Sequence, residues 1–312
     1  MMRRVQELMN LRHFHPLWIA VPVVGAMVVG GLIWWFATYE VARLKPGAPP
    51  SARAVPAARL PEPDSGERTA GAAVRSAAAD VAFTPPKRED MPEGPFGDAI
   101  SLGRDIFVNT QEYAKRYVGN GLNCVNCHLD EGRKANSAPL WAAYGLYPAY
   151  REKNKKVNSF EDRLAGCFTF SMNGTPPPHD SKEMVALVTY SYWLAQGAPV
   201  GAELSGRGYP KLDKPAQVPD AQRGAALFAA NCALCHGAQG EGTKAGGKYA
   251  FPPLWGKDSY NGGAGMHRVE TAAAFIRANM PLGKPGSLSV QEAWDVAAFV
   301  NSHERPRDPR KQ

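Results

Sequence analysis

Five cysteines occur in the 312 residues, and four of them stand in two copies of one pattern. Cys124-Val125-Asn126-Cys127-His128 and Cys232-Ala233-Leu234-Cys235-His236 are both C-x-x-C-H. At that spacing two thiols can form thioether bonds to the vinyl groups of a c-type haem, and the histidine that follows serves as the proximal ligand to iron. Zinc binding or a thioredoxin-like use of the pairs is disfavoured. Each pair runs directly into histidine, and no strand–helix alternation surrounds it. Two covalently bound haem c groups are therefore expected, one on Cys124 and Cys127 with His128, the other on Cys232 and Cys235 with His236.

The distal ligands are less uniform. Met280 lies 44 residues beyond His236, and a thioether opposite histidine favours ferrous iron and a raised potential, which suits an electron-exit site. Met266 is its nearer rival, and His267 would give a bis-histidine centre. In the first half Met172 also stands 44 residues past its histidine, while Cys167, the fifth cysteine, stands 39 past. Spacing alone points to Met172, with Cys167 as a small buried hydrophobe. An unpaired cysteine is equally what a functional thiol requires. On the residues alone both sulfurs remain open.

The elements that must hold these groups repeat. Gly103-Arg104-Asp105-Ile106-Phe107 precedes the first motif and Gly224-Ala225-Ala226-Leu227-Phe228 the second. Each Gly-x-x-x-Phe falls in a helix-period pattern, with Asp98 and Asp220 as expected N-caps. Downstream, Glu183–Tyr190 has its counterpart in Glu292–Phe299. Met184, Leu187, Val188, Ser191 and Leu194 share one face of the first of these helices, which Gly197 would end. Asp180 to Glu183 and Ser289 to Glu292 have capping-box spacing. The arrangement resembles the all-α fold of class I cytochromes c, in which the first and last helices cross at a Gly/aromatic contact. The expected organisation is two tandem cytochrome c-like domains, residues 91–204 and 220–305. A Gly/Pro-rich linker, 205–219, separates them, and a short tail, 306–312, follows.

The N-terminal part is of another kind. Leu17 to Tyr39 is a run of 23 uncharged, mostly apolar residues ending in aromatics, long enough at about 1.5 Å per residue to span a ~30 Å hydrocarbon core. Arg3, Arg4 and Arg12 precede it, as the positive-inside rule favours. The apolar core of a cleaved signal peptide is normally shorter, about 7–15 residues, so an uncleaved transmembrane helix over 17–39 is expected, with 1–16 cytoplasmic. Residues 40–90 are dominated by Ala, Pro, Arg and Ser and should form a disordered linker. The haem domains would then lie in a bacterial periplasm, tethered to the inner membrane. The net charge of +7 is compatible with an anionic membrane or a small anionic substrate. No basic run interleaved with aromatics supports nucleic-acid binding.

One stretch carries a more specific resemblance. Glu161-Asp162-Arg163-Leu164-Ala165-Gly166-Cys167 and Ser171-Met172-Asn173-Gly174 resemble the thiosulfate dehydrogenase family of dihaem cytochromes c. Tyr192-Trp193-Leu194, Phe251-Pro252-Pro253-Leu254-Trp255-Gly256, Tyr260-Asn261 and Asn279-Met280-Pro281-Leu282-Gly283 extend the likeness over both haem domains. The resemblance implies iron ligation by His128 and Cys167 at the first haem and by His236 and Met280 at the second. Cys167 would be catalytic. Substrate-anion binding is implied for the positions of Arg163, Ser171 and Lys153, with Arg151 as a neighbour that could share the role. Family members often carry arginine where this chain has Lys153, and the N-terminal anchor and tether are departures from soluble members.

The implied reaction joins two thiosulfate ions into tetrathionate with loss of two electrons. Fixed cations must offset the repulsion between two dianions, most effectively where water is partly excluded. Arg163, four residues before Cys167, would share its side of a helix. Lys155 and Lys156 read as a solvated loop. Electrons would pass from the first haem to the second and on to a periplasmic or membrane acceptor such as another cytochrome. Two other readings are a membrane-tethered dihaem electron carrier without its own substrate, marked by Met172 on iron, and the same site working as a tetrathionate reductase.

Overall fold

The computed structural model describes residues 81–202 and 204–311. The expected cytoplasmic segment, transmembrane helix and residues 40–80 of the linker lie outside the described residues. No helix among those described is long and apolar enough to cross a membrane.

In the first domain helix α1, Gly94–Val108, buries Gly97, Ile100, Gly103, Ile106 and Phe107 at helical spacing. Asp98 does not cap it, contrary to expectation. The helix begins four residues earlier, with Pro95 in its first turn, where a residue without an N–H costs nothing and its fixed φ is already helical. Helix α2, Phe160–Gly166, starts at a capping box: Ser159 Oγ accepts from Asp162 N at 3.2 Å and the Asp162 carboxylate accepts from Ser159 N at 3.0 Å. A π-helical turn, Cys167–Ser171, continues it. Helix α3, Lys182–Leu194, is capped by Ser181, whose hydroxyl accepts from Met184 N at 3.2 Å. The cap expected at Asp180 is therefore one residue out, and Glu183 instead pairs with Arg116 at 2.9 Å.

The second domain repeats the plan. Helix α4, Ala221–Asn231, is capped by Asp220, whose Oδ1 accepts from the Gln222 and Arg223 amides at 2.7 and 2.8 Å. Helix α5, Val269–Asn279, leads to Met280, and α6, Val290–Ser302, opens with the Ser289/Glu292 capping box. Two short antiparallel hairpins, unforeseen in an all-α reading, sit in the loops. Strand β1, Ala149–Arg151, pairs with β2, Lys156–Asn158; β3, Thr243–Ala245, pairs with β4, Lys248–Phe251.

The two helix crossings show why glycine stands where it does. A Cβ on Gly103 would overlap the Ala186 carbonyl and lie 2.7 Å from Tyr190 Cβ; one on Gly224 would overlap the Asp295 carbonyl and lie 2.8 Å from Phe299 Cβ. Contact this close admits only a hydrogen. Phe107 then meets Tyr190 with ring centroids 5.9 Å apart, and Phe228 meets Phe299 at 5.3 Å. The Gly-x-x-x-Phe repeat is thus one packing device used twice.

Both outer boundaries need correction. Residues 81–90 are not free linker: Val81 and Phe83 pack against a core of Trp141, Ala142, Ala202 and Leu204, with the Phe83 and Trp141 rings 4.8 Å apart. Arg88 pairs with Glu131. Residues 306–311 are not a loose tail either. Pro306 O accepts from Gly262 N at 2.9 Å, Asp308 is buried, and the Arg310 guanidinium lies 4.7 Å from the Phe170 ring centroid. Apolar composition at the first boundary and an Arg/Asp pair at the second were too sparse to signal this packing.

Candidate active site

Helix α2 and its π turn bring the predicted residues together. One helical turn separates Arg163 from Cys167, and Arg163 Nη1 donates to Cys167 Sγ at 2.9 Å. Cys167 lies partly buried where α2 passes into the π turn, so a local cation is needed to stabilise a thiolate there. Burial pushes the Cys167 thiol up, but Arg163 and then His128 outweigh it and bring the group down to about 7. Reciprocally, the charge of Cys167 raises Arg163 further, against the opposing effect of burial. His128 faces Cys167 closely enough to act on its thiol.

Met172 sits elsewhere. It is 3% exposed and packs in the apolar core of the first domain with Ile100, Phe168 and Met184. Its amide donates to the Cys167 carbonyl at 2.9 Å. Ser171 ends the π turn, and its carbonyl accepts from Asn120 Nδ2 at 2.8 Å. Lys153, in the turn between β1 and β2, reaches over the Phe170 ring at 4.6 Å and donates to Gly263 O of the second domain at 2.9 Å. Burial and then the nearby Arg310 lower its pKa. Arg151 is exposed at the end of β1, across from Lys156. Lys155 and Lys156 are exposed, as expected of a solvated loop.

The residues around both C-x-x-C-H motifs suit a covalent haem. His128 Nδ1 lies 2.7 Å from Ala138 O, and His236 Nδ1 lies 2.9 Å from Pro252 O. A carbonyl can only accept, so in both cases Nδ1 carries the proton and Nε2 is left with its lone pair for a metal. In the second domain Cys232, Cys235, His236 and Met280 open onto one largely apolar cavity, walled by Phe228, Ile276, Val296 and Val300. Met266 also lines it, whereas His267 does not. Leu122, Val125 and Cys127 of the first domain complete the same cavity. The first attachment motif is thus a wall of the second site. Cys124 and Cys127 lie close enough to Cys167 for its charge to act on their thiols.

Three contributors were not anticipated. Tyr209, from the 205–219 segment, has its hydroxyl pushed up by burial and lies near Cys127, Arg163 and Cys167. Arg310 shares the Phe170 ring with Lys153. Asn261 holds the outside of the π turn. All three come from segments distant in sequence, where a lone tyrosine or arginine carries no pattern and the family likeness at Asn261 does not reveal its role.

Comparison with known proteins places both halves of the chain among c-type cytochromes. The family described as "SoxA/TsdA, cytochrome c domain" matches residues 110–200, and the family "Cytochrome c" matches 221–304. A thiosulfate dehydrogenase from Stutzerimonas stutzeri is 62% identical over 228 residues, 73% of this chain and 74% of the relative. One from Thiomonas intermedia is 59% identical over 230 residues, 74% and 73% of the two chains. Among solved structures, the thiosulfate dehydrogenase TsdBA of Marichromatium purpuratum, in its as-isolated form, superposes with a TM-score of 0.72 at 53% identity. That match covers 75% of this chain and 52% of the other, so the chain spans about half the length of that protein. Two c-type domains, each with its attachment cysteines and a histidine prepared for iron, carry two covalently bound haem c groups. With identities of this size across both haem domains, the chain belongs to the thiosulfate dehydrogenase family of c-type cytochromes.

Proposed function

We propose that this chain joins two thiosulfate ions into tetrathionate, and that His128 and Cys167 would hold the iron of the first haem and His236 and Met280 that of the second. The observation that carries the reading is the 2.9 Å hydrogen bond from Arg163 to Cys167, in a site that also faces His128. A structural cysteine in an apolar core has no use for a guanidinium, whereas a reacting thiolate does.

In this reading Cys167 Sγ bonds to the sulfane sulfur of one thiosulfate, and two electrons leave. The second thiosulfate attacks that sulfur, forming the central sulfur–sulfur bond of tetrathionate and returning Cys167 as thiolate. No bond to oxygen changes and no proton is released. When bound, the haems would supply two one-electron acceptors, so that both electrons of the step could be held in the chain and passed to another cytochrome or a membrane acceptor. Arg163 holds the thiolate before the reaction and offsets negative charge as the dianion approaches. Ser171 and Lys153 would supply a hydroxyl and a further cation, with Arg151 as another cation that could share the role. The haem domains are proposed to lie in the periplasm, held to the inner membrane by the apolar segment 17–39.

Purified haem-replete Cys167→Ala tests the reading. Wild type should show haem reduction on adding thiosulfate and the variant none. Haem reduction at the wild-type rate in the variant would reduce Cys167 to a structural residue and overturn the mechanism. Reduction by thiosulfate slower than oxidation by tetrathionate would favour the reverse reaction.

A further inference from the structure

A helix ends with four carbonyls that have no partner within it. Beyond α2 these are the carbonyls of Thr169, Phe170, Ser171 and Met172, and each is met by a donor from outside the helix. Asn261 Nδ2 donates to Thr169 O at 2.9 Å and the Asn261 amide to Phe170 O at 3.1 Å. Asn120 Nδ2 serves Ser171 O at 2.8 Å, and Gly119 N serves Met172 O at 3.0 Å. Two of the four donors belong to one residue of the second domain.

Asn261 is fully buried. Its Nδ2 also donates to Asn173 Oδ1 at 3.0 Å, and its Oδ1 accepts from Gly263 N at 3.0 Å, which fixes which end of the amide faces the turn. Aspartate would set an oxygen against two oxygens, and leucine would leave buried carbonyls without a donor. A buried amide with both ends satisfied specifies one geometry.

We propose that Asn261 is a positioning residue through which the second domain sets the Cys167–Ser171 turn, so that the thiol site of the first domain is incomplete without the second. The proposal rests on the reading of Cys167 as the reacting thiol. Asn261 touches neither thiol nor substrate. It acts by holding the two carbonyls between Cys167 and Ser171, the residues whose mutual placement decides where a sulfane sulfur meets Sγ.

The test uses the haem-replete full chain with Asn261→Asp, and Asn261→Ser as the milder variant if the first yields too little protein. Amide hydrogen exchange of the segment 167–174 should quicken roughly tenfold, the size expected for loss of one buried hydrogen bond. The first haem's EPR spectrum in the oxidised state should change from one low-spin species to several. Lys248→Ala, which removes a separate 2.6 Å contact between the domains at Glu112, should leave both unchanged. Exchange and EPR identical to wild type in a haem-replete Asn261 variant would overturn the proposal. If wild type itself lacks a thiolate-ligated signal, the ligand reading fails, and the exchange measurement alone still decides the role of Asn261.

Discussion

Arg163 and Cys167 are joined by a 2.9 Å hydrogen bond across one turn of a seven-residue helix that Ser159 caps. The cation that stabilises the thiolate is thereby fixed by local geometry, and it outweighs the cost of burying that charge. Replacing Arg163 with alanine should lower kcat/KM for thiosulfate by about 10²-fold, the usual cost of one preorganised charge-stabilising donor. Lysine should recover part of this, because an ammonium restores charge without the planar fork. Steady-state kinetics with haem content held equal would check both.

Met172 gives a sharper test of ligation. It packs in the apolar core at 3% exposure, so Met172→Leu is nearly volume-conserving and should cost less than about 1.5 kcal/mol. The oxidised and reduced spectra of the first haem should not change. Loss of a methionine-to-iron absorption band in that variant would put Met172, not Cys167, on iron.

The glycine crossings predict a stability effect that sequence logic alone would put with the wrong sign. In an exposed helix Gly→Ala stabilises, because alanine has the higher helix propensity. At Gly103 and Gly224 the new methyl meets a carbonyl oxygen of the partner helix. Each substitution should destabilise by about 1–3 kcal/mol, as overpacking does, measured by denaturant unfolding of the haem-replete protein.

Asp295 carries a pH dependence. It is 2% exposed and accepts from Arg223 Nε and Nη2, each at 2.8 Å, and from the Asp220 amide at 2.8 Å. Burial opposes its ionisation, but Arg223, the Asp220 amide and Gln291 outweigh that and hold its carboxyl below the usual carboxylate value. With the folded pKa depressed, the stability it contributes is fully present above about pH 3.9, the unfolded value, and is lost as pH falls through the lower folded value. Asp295→Asn should therefore be less stable at neutral pH and show a flatter stability profile below about pH 4. Thermal unfolding from pH 3 to pH 7 would show it.

Much of this was legible in the sequence because the signals were local or repeated. The two C-x-x-C-H motifs, the Gly-x-x-x-Phe repeat and the Ser289–Glu292 cap each specify their own neighbourhood. Arg163 could be paired with Cys167 because i to i+4 is a helix contact. The cap of α1 was missed because Pro95, not Asp98, decides where that helix begins. The roles of Asn261 and Arg310 were illegible for another reason. Each acts on the π turn from more than 90 residues away, and no spacing rule connects a chain position to a carbonyl so remote. Spacing also favoured Met172, which packs in the apolar core, because a repeat spacing does not register the i to i+4 contact that joins Cys167 to Arg163.

The cavity that takes Cys232, Cys235 and Met280 is completed by Val125 and Cys127 of the other attachment motif. A cofactor seated there touches both halves of the chain, so its hydrophobic contacts belong to a common core rather than to one module. Unfolding of the haem-replete protein should consequently be a single cooperative transition. Removing the cysteines of one motif should loosen the other half as well, and maturation must complete both attachments before the chain reaches its full stability.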